Sequence, residues 1–168
     1  SELANFSGRK FHGQKNHLNA FYQAHPDTKF EIINQKNAEE CLNFAYEWCD
    51  EKSAKDPSII QEKMALKKCF TNYEKLDLRG GLLRFDGKVQ AFSIGDKFND
   101  DTADIHFEKA KSGVRGLYVA MCNAFAKNMW QDVIYLNREE DMGLDGLRKA
   151  KTELHPAMLI KKYTAVVK

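Results

Sequence analysis

No stretch of this sequence approaches the roughly 20 consecutive apolar residues that a membrane-spanning helix needs. Ser1-Glu2-Leu3 lacks the charged run followed by an apolar run that marks a signal peptide. The initiator Met is absent too, so the chain reads as processed or as a fragment. Cysteine is sparse, and none of Cys41, Cys49, Cys69 and Cys122 forms a Cys-x-x-Cys pair. That excludes a zinc ribbon or a thioredoxin-type redox motif. Cys41 and Cys49 fall two turns apart on one predicted helix, too far to bridge. Reduced, buried thiols in a cytoplasmic protein are the simplest account. A net charge of +2 gives no global pull toward nucleic acid. Only 3 prolines and 43% hydrophobic residues exclude a disordered chain.

What is present suits one α/β domain, since 168 residues can bury about 70% of the unfolded surface. Residues 1–27 differ from the rest. They are polar and basic with Phe6, Phe11, Leu18, Phe21 and Tyr22 interspersed, and Pro26 ends the element. We expect an interdomain linker or arm outside the core, and a domain over 28–168. Residues 29–34 predict a short strand. Asn37 and Glu40 fit a capping box ahead of a helix over 38–52, in which Cys41, Leu42, Ala45, Trp48 and Cys49 recur at helical spacing. Asp56-Pro57 starts a second helix reaching about Tyr73. The period then changes to that of strands: Asp86-Gly87 between two apolar runs predicts a tight hairpin over 83–94. A strand at 103–110, a helix at 117–130, a buried strand at 132–136, a helix at about 143–154 stopped by Pro156, and a final strand at 158–167 complete the order. Antiparallel strands feeding a late strand–helix–strand unit imply a mixed sheet with helices on both faces. GNAT acyltransferases share that order.

Three places could carry chemistry. The turn Lys111-Ser112-Gly113-Val114-Arg115-Gly116 lies between a strand and a helix. Small residues there let backbone amides approach a phosphate-rich donor, and Lys111 and Arg115 add positive charge. It can equally be an ordinary strand-to-helix turn. His106 and Glu108 point to one face of their strand, with Lys109 on the other. Side by side, an imidazole and a carboxylate could share a proton, or Glu108 could pair with Arg115 or Arg138 as structural glue. Asn137-Arg138-Glu139-Glu140-Asp141 leaves the carboxyl end of an apolar strand, where open α/β sheets place ligands. Asp141 could instead cap the next helix. No His accompanies these carboxylates at ligand spacing, which argues against a metal. Six basic residues against two acidic ones give 143–168 a net +4, enough to attract phosphate or to form a solvated face.

Longer strings carry a resemblance. Residues 81–95 (GLLRFDGKVQAFSIG), 106–110 (HFEKA), 115–118 (RGLY), 137–151 (NREEDMGLDGLRKAK) and Lys162-Tyr163 look like successive motifs, and residues 8–17 (GRKFHGQKNH) look like a mid-chain linker. Together they resemble the bacterial phosphatidylglycerol lysyltransferase C-terminal domain family. Such proteins look like two GNAT-type domains in tandem. The resemblance implies that 1–27 is the link and 28–168 the second domain, with a preceding GNAT-like domain as its partner. The named activity moves lysine from lysyl-tRNA to phosphatidylglycerol, so an aminoacyl-tRNA or acyl-CoA-like donor and peripheral lipid contact are implied. For an acyl or aminoacyl transferase, Glu108 or His106 would be the base, with Arg138 and Glu139 orienting substrate. Lys111, Gly113, Arg115 and Gly116 would hold the donor, and Asn137, Arg148 and Lys151 would meet substrate phosphates. The alternative is a non-catalytic half that binds a ligand or supports its partner domain.

Overall fold

The computed structural model describes residues 2–53 and 58–166. Its elements are α1 (Glu2–Asn5), a 3-10 turn (Arg9–Phe11), α2 (His12–Ala24), β1 (Lys29–Ile32), α3 (Ala38–Ser53), α4 (Ser58–Thr71), β2 (Arg79–Phe85), β3 (Lys88–Lys97), β4 (Thr102–Ala110), α5 (Leu117–Met129), β5 (Tyr135–Asn137) and α6 (Asp145–Thr152). The strands form one sheet in the order β1-β2-β3-β4-β5, antiparallel except for the parallel β4–β5 pair. The expected mixed sheet with helices on both faces is therefore present. Asp56-Pro57, read as a helix start, lies outside the described residues.

Alternation along the strands separates two cores. On one face Leu82, Val89, Phe92 and Ile94 pack against Cys41, Ala45 and Cys49 of α3 and Leu66, Cys69 and Phe70 of α4. On the other, Leu83, Phe85, Ala91, Ala103 and Ile105 pack against Leu117, Ala120, Met121, Ala124 and Phe125 of α5. The hairpin turns where expected: Asp86 and Gly87 have φ of 52° and 71°, the pair of left-handed residues that a type I′ turn uses.

Four expectations need correction. Residues 1–27 do not stay outside the core. Phe6, Phe11 and Phe21 are buried, and Phe21 belongs to the α5-side cluster. Asn123 of α5 donates to the carbonyls of Leu3 and Ala4. Gly116 packs so closely on α2 that a Cβ there would lie 2.5 Å from the His17 carbonyl oxygen. Phe21 thus found its partner surface in the α5-side core. The capping box does not form either. Asn37 Oδ1 accepts from the Asn34 amide, and Glu40 turns to Arg84, itself bridged to Glu31.

The strand expected at 132–136 is short and lies at the sheet edge. Only Val133 of that run is buried, while Ile134 and Tyr135 are exposed, because among the described residues no strand pairs with β5 on its outer side. The final strand expected at 158–167 is not formed among the described residues; 158–166 has no regular structure. A strand needs a neighbour for its backbone groups, and this segment has none here.

Candidate functional site

Strand β5 pairs with only the first three residues of β4, through Thr102–Tyr135, Ala103–Leu136 and Asp104–Asn137. Beyond Asp104 the two strands part. Opposite this opening, β4 carries a bulge. Ile94 pairs with Phe107 but Gly95 pairs with Ile105, so His106 has no partner on β3. A bulge reverses which face alternate residues address. Ala103 and Ile105 therefore face α5, yet past the bulge Glu108 and Ala110 take that side, while Phe107 turns to the α3–α4 core.

The opening gathers the charged residues singled out in the sequence. Arg138 Nη2 donates to Glu108 Oε1 at 2.5 Å, and the two side chains are 22% and 10% exposed. The carboxylate's partner is thus Arg138 and not Arg115. Burial works against the Arg138 charge, but the Glu108 carboxylate overcomes it and holds the guanidinium above its ordinary pKa. Cys122 of α5 backs the pair. Burial pushes its thiol up to about 12, so it stays neutral and adds no charge to the ion pair.

His106 sits between two carboxylates, with Nδ1 3.1 Å from Glu139 Oε1 and Nε2 3.3 Å from Asp96 Oδ1. Glu139 can reach it because Glu139 adopts a left-handed φ of 53°. The loop after β5 is pinned from below. Lys151 of α6 donates to the carbonyls of Arg138 and Glu140, and burial lowers its pKa. Asn137 donates to Asp104 Oδ1 and accepts from the Glu139 amide. Arg148 donates to Asp141, which also accepts from the Gly143 amide. Asn137, Arg148 and Lys151 are thus committed to shaping the loop. Asp141 organises the turn before α6, whose cap is Leu144.

The turn 111–116 follows β4 directly and opens α5. Lys111, Ser112, Gly113 and Arg115 are exposed, and Gly116 caps the helix at φ 81°, a conformation that favours glycine. The Lys111 amide donates to the Gln90 carbonyl. Hydrogen-bonded pairs alternate along an antiparallel ladder, so the backbone groups of Glu108 and Ala110 point away from β3, toward the opening. Trp48 Nε1 donates to the Ala110 carbonyl at 3.1 Å, and Tyr118 reaches the Ala110 amide with its hydroxyl. Burial raises the Tyr118 pKa. Lys109 turns the other way, to Glu62 at 2.6 Å and over the Trp48 ring. An open groove of about 630 Å³ adjoins the site on the α4 side, lined by Cys69, Leu76, Leu78, Asp96, His106 and Phe107 among others.

Of the residues singled out in the sequence, Glu108 meets Arg138, and His106 meets Glu139; the expected shared face of His106 and Glu108 is not formed, because the bulge leaves His106 on the groove side with Phe107 while Glu108 faces α5. Asp96, Trp48, Tyr118 and Cys122 were not foreseen there. Asp96 and Cys122 reach the site through a bulge and a helix packing that leave no local signal. Trp48 was visible only as one more apolar residue on a helix face.

A parted pair of strands, a bulge, and a glycine turn into a helix invite comparison with known proteins. The family model described as phosphatidylglycerol lysyltransferase, C-terminal, matches residues 1–166. The chain belongs to that family. A crystal structure of a conserved protein of unknown function from Bacteroides thetaiotaomicron is 36% identical, with a TM-score of 0.88 over 94% of this chain and 54% of that one. An uncharacterised protein of Mycoplasmoides gallisepticum is 24% identical over 171 residues, which are 99% of this chain and 54% of that one. The chain therefore spans about half the length of these relatives. A ribosomal-protein-alanine N-acetyltransferase from Brucella melitensis shares the fold, with a TM-score of 0.56 at 12% identity over 83% of this chain and 99% of that one. The fold is thus that of the GNAT acetyltransferases, as the order of elements implied. Among the described residues no helix is long and apolar enough to cross a membrane.

Proposed function

We propose that this domain of the phosphatidylglycerol lysyltransferase C-terminal family is an acyl- or aminoacyl-transfer domain that holds its activated donor where β4 and β5 part. The observation that carries the reading is this opening, with Arg138 and Glu108 across it and the 111–116 turn at its far end. Such a layout offers what transfer from an ester or thioester needs. The outward backbone N–H of Glu108 on β4 can meet the donor's carbonyl and steady the oxyanion. The exposed Lys111 and Arg115, with the amides around Gly113 and Gly116, suit phosphates of an acyl-CoA or of a tRNA end.

Glu108 is engaged by Arg138, so the base is His106. An attacking amine or hydroxyl would take the place of one carboxylate at a ring nitrogen and pass its proton there, while the other carboxylate accepts from the second ring N–H. Arg138 and Glu108 keep the two strands at a fixed separation. In the longer protein, residues 1–27 are the clamped link from a preceding GNAT-like domain. The buried thiols suit a cytoplasmic setting, with any lipid met at a membrane surface. The second reading, a non-catalytic ligand-binding half, is favoured by the closed Glu108–Arg138 pair.

A transfer assay separates the two. In the long form, with lysyl-tRNA or acetyl-CoA as donor, His106→Ala is expected to lower kcat by about 100-fold or more, the usual contribution of a positioned base, with an unchanged melting temperature. An unaltered kcat, or no transfer by the parent protein, supports the binding reading instead.

A further inference from the structure

From Ile134 to Val166 the chain contains no buried residue. Helix α6 contributes none to either core. Large apolar side chains nevertheless crowd this stretch. Leu159 is 88% exposed, Ile160 77%, Tyr163 83% and Val166 84%, and Ile134 of the edge strand and Leu147 of α6 are exposed as well. Soluble surfaces do not normally gather so many without a partner. The segment 158–166 also reads as a strand, with Ile160, Tyr163, Thr164 and Val166 in it, yet among the described residues no strand pairs with it. Strand β5 is short and open along its outer side. Edge strands and unpaired extended segments are surfaces waiting for a neighbour.

We infer that residues 134–166 form the docking surface for the remaining half of the longer protein, and that 158–166 completes a strand pairing there. The occupant follows from the lengths. Two relatives, each matched over nearly all of this chain, are matched over only 54% of their own length. A body about as large as this domain thus accompanies it in both. Elsewhere α3 and α4 close one face of the sheet and α2 and α5 close the other, although single apolar side chains such as Ile60, Met64 and Phe98 stay exposed there. Residues 134–166 are left; they are held to the domain by the β4–β5 pairing, the Arg138–Glu108 pair and edge contacts such as Phe11 on His155, while their large apolar side chains stay exposed. The same stretch holds Arg138 and Glu139, so docking would bring the other half next to the β4–β5 opening.

Hydrogen exchange tests this in two proteins: this chain alone, and its long form joined to the half its relatives carry. The inference predicts slow exchange of 158–166 in the long form and fast exchange in the chain alone. A paired variant, Leu159→Asp with Ile160→Asp, should leave the melting temperature of the chain alone unchanged, since both residues are exposed there. In the long form the same pair should split one cooperative unfolding transition into two. Equal exchange in both proteins overturns the inference. So does protection of 158–166 in the isolated chain that rises with its concentration, which would make a second copy the occupant. Protection that appears only on adding anionic phospholipid vesicles would make a membrane surface the occupant and overturns it too.

Discussion

Arg138 and Glu108 illustrate how far one ion pair can be read from a sequence. Their residue types and the strand ends they occupy were legible, and so was the need of a charge leaving a covered sheet to find a partner. Their closure to 2.5 Å behind α5 was not, because it depends on β5 leaving β4 after three residues. Removing the guanidinium strands a carboxylate that is 10% exposed beside the neutral Cys122 thiol. Arg138→Ala is therefore expected to cost about 3 kcal/mol, the lower end for breaking a buried pair because Arg138 itself is partly exposed. The double variant Arg138→Ala with Glu108→Gln should recover much of that loss. Urea unfolding of the two single variants and the double variant checks both outcomes, and strictly additive losses would mean that the pair is not coupled.

The thiols give a pH dependence at the same scale. Burial pushes Cys41 and Cys122 up to about 12 and Cys69 up to about 11. An unfolded thiol titrates near 8.5. Below that value both states keep the proton and the preference costs nothing. Above it the unfolded chain releases protons that the folded chain holds, so stability falls as pH rises from about 8.5 toward 11–12. Thermal unfolding measured between pH 7 and pH 10.5 should show the fall. Native thiols should also resist iodoacetamide at pH 9, whereas rapid labelling would show the four cysteines to be accessible.

Elements were the most legible scale where pattern and partner lie close in sequence. The hairpin at Asp86-Gly87 and helices α3 and α5 follow from turn chemistry and periodicity. The misses share one cause, which is that a distant neighbour decides the outcome. Strand β5 lost most of its expected residues because, among the described residues, no strand pairs with its outer side. Residues 1–27 gained a buried role because Phe21 joins the α5-side core and Asn123 of α5 holds the carbonyls of Leu3 and Ala4, while Phe6 and Phe11 are buried against each other. Deleting residues 1–24 would uncover that face of α5 and remove the partners of Asn123. We expect the truncated chain to lose cooperative unfolding, as followed by near-ultraviolet circular dichroism during heating. A sharp transition within a few degrees of the parent would show that the arm is dispensable.

At the scale of the whole molecule, the family and the GNAT fold were legible from long motifs, whereas the chemistry we propose rests on an opening that only the assembled sheet reveals. The bulge at His106, the parted strands and the turn 111–116 are each unremarkable alone. We propose that together they make one ligand path from Arg115 to Glu139, and that path is the central claim. Amide hydrogen exchange of the long form with and without bound donor, lysyl-tRNA or acetyl-CoA, tests it most directly. The account predicts that donor binding slows exchange at residues 106–118 and 137–139 while leaving β1 and β2 unchanged. A donor that binds and protects other regions, leaving 106–118 untouched, would contradict it, as would failure of both donors to bind.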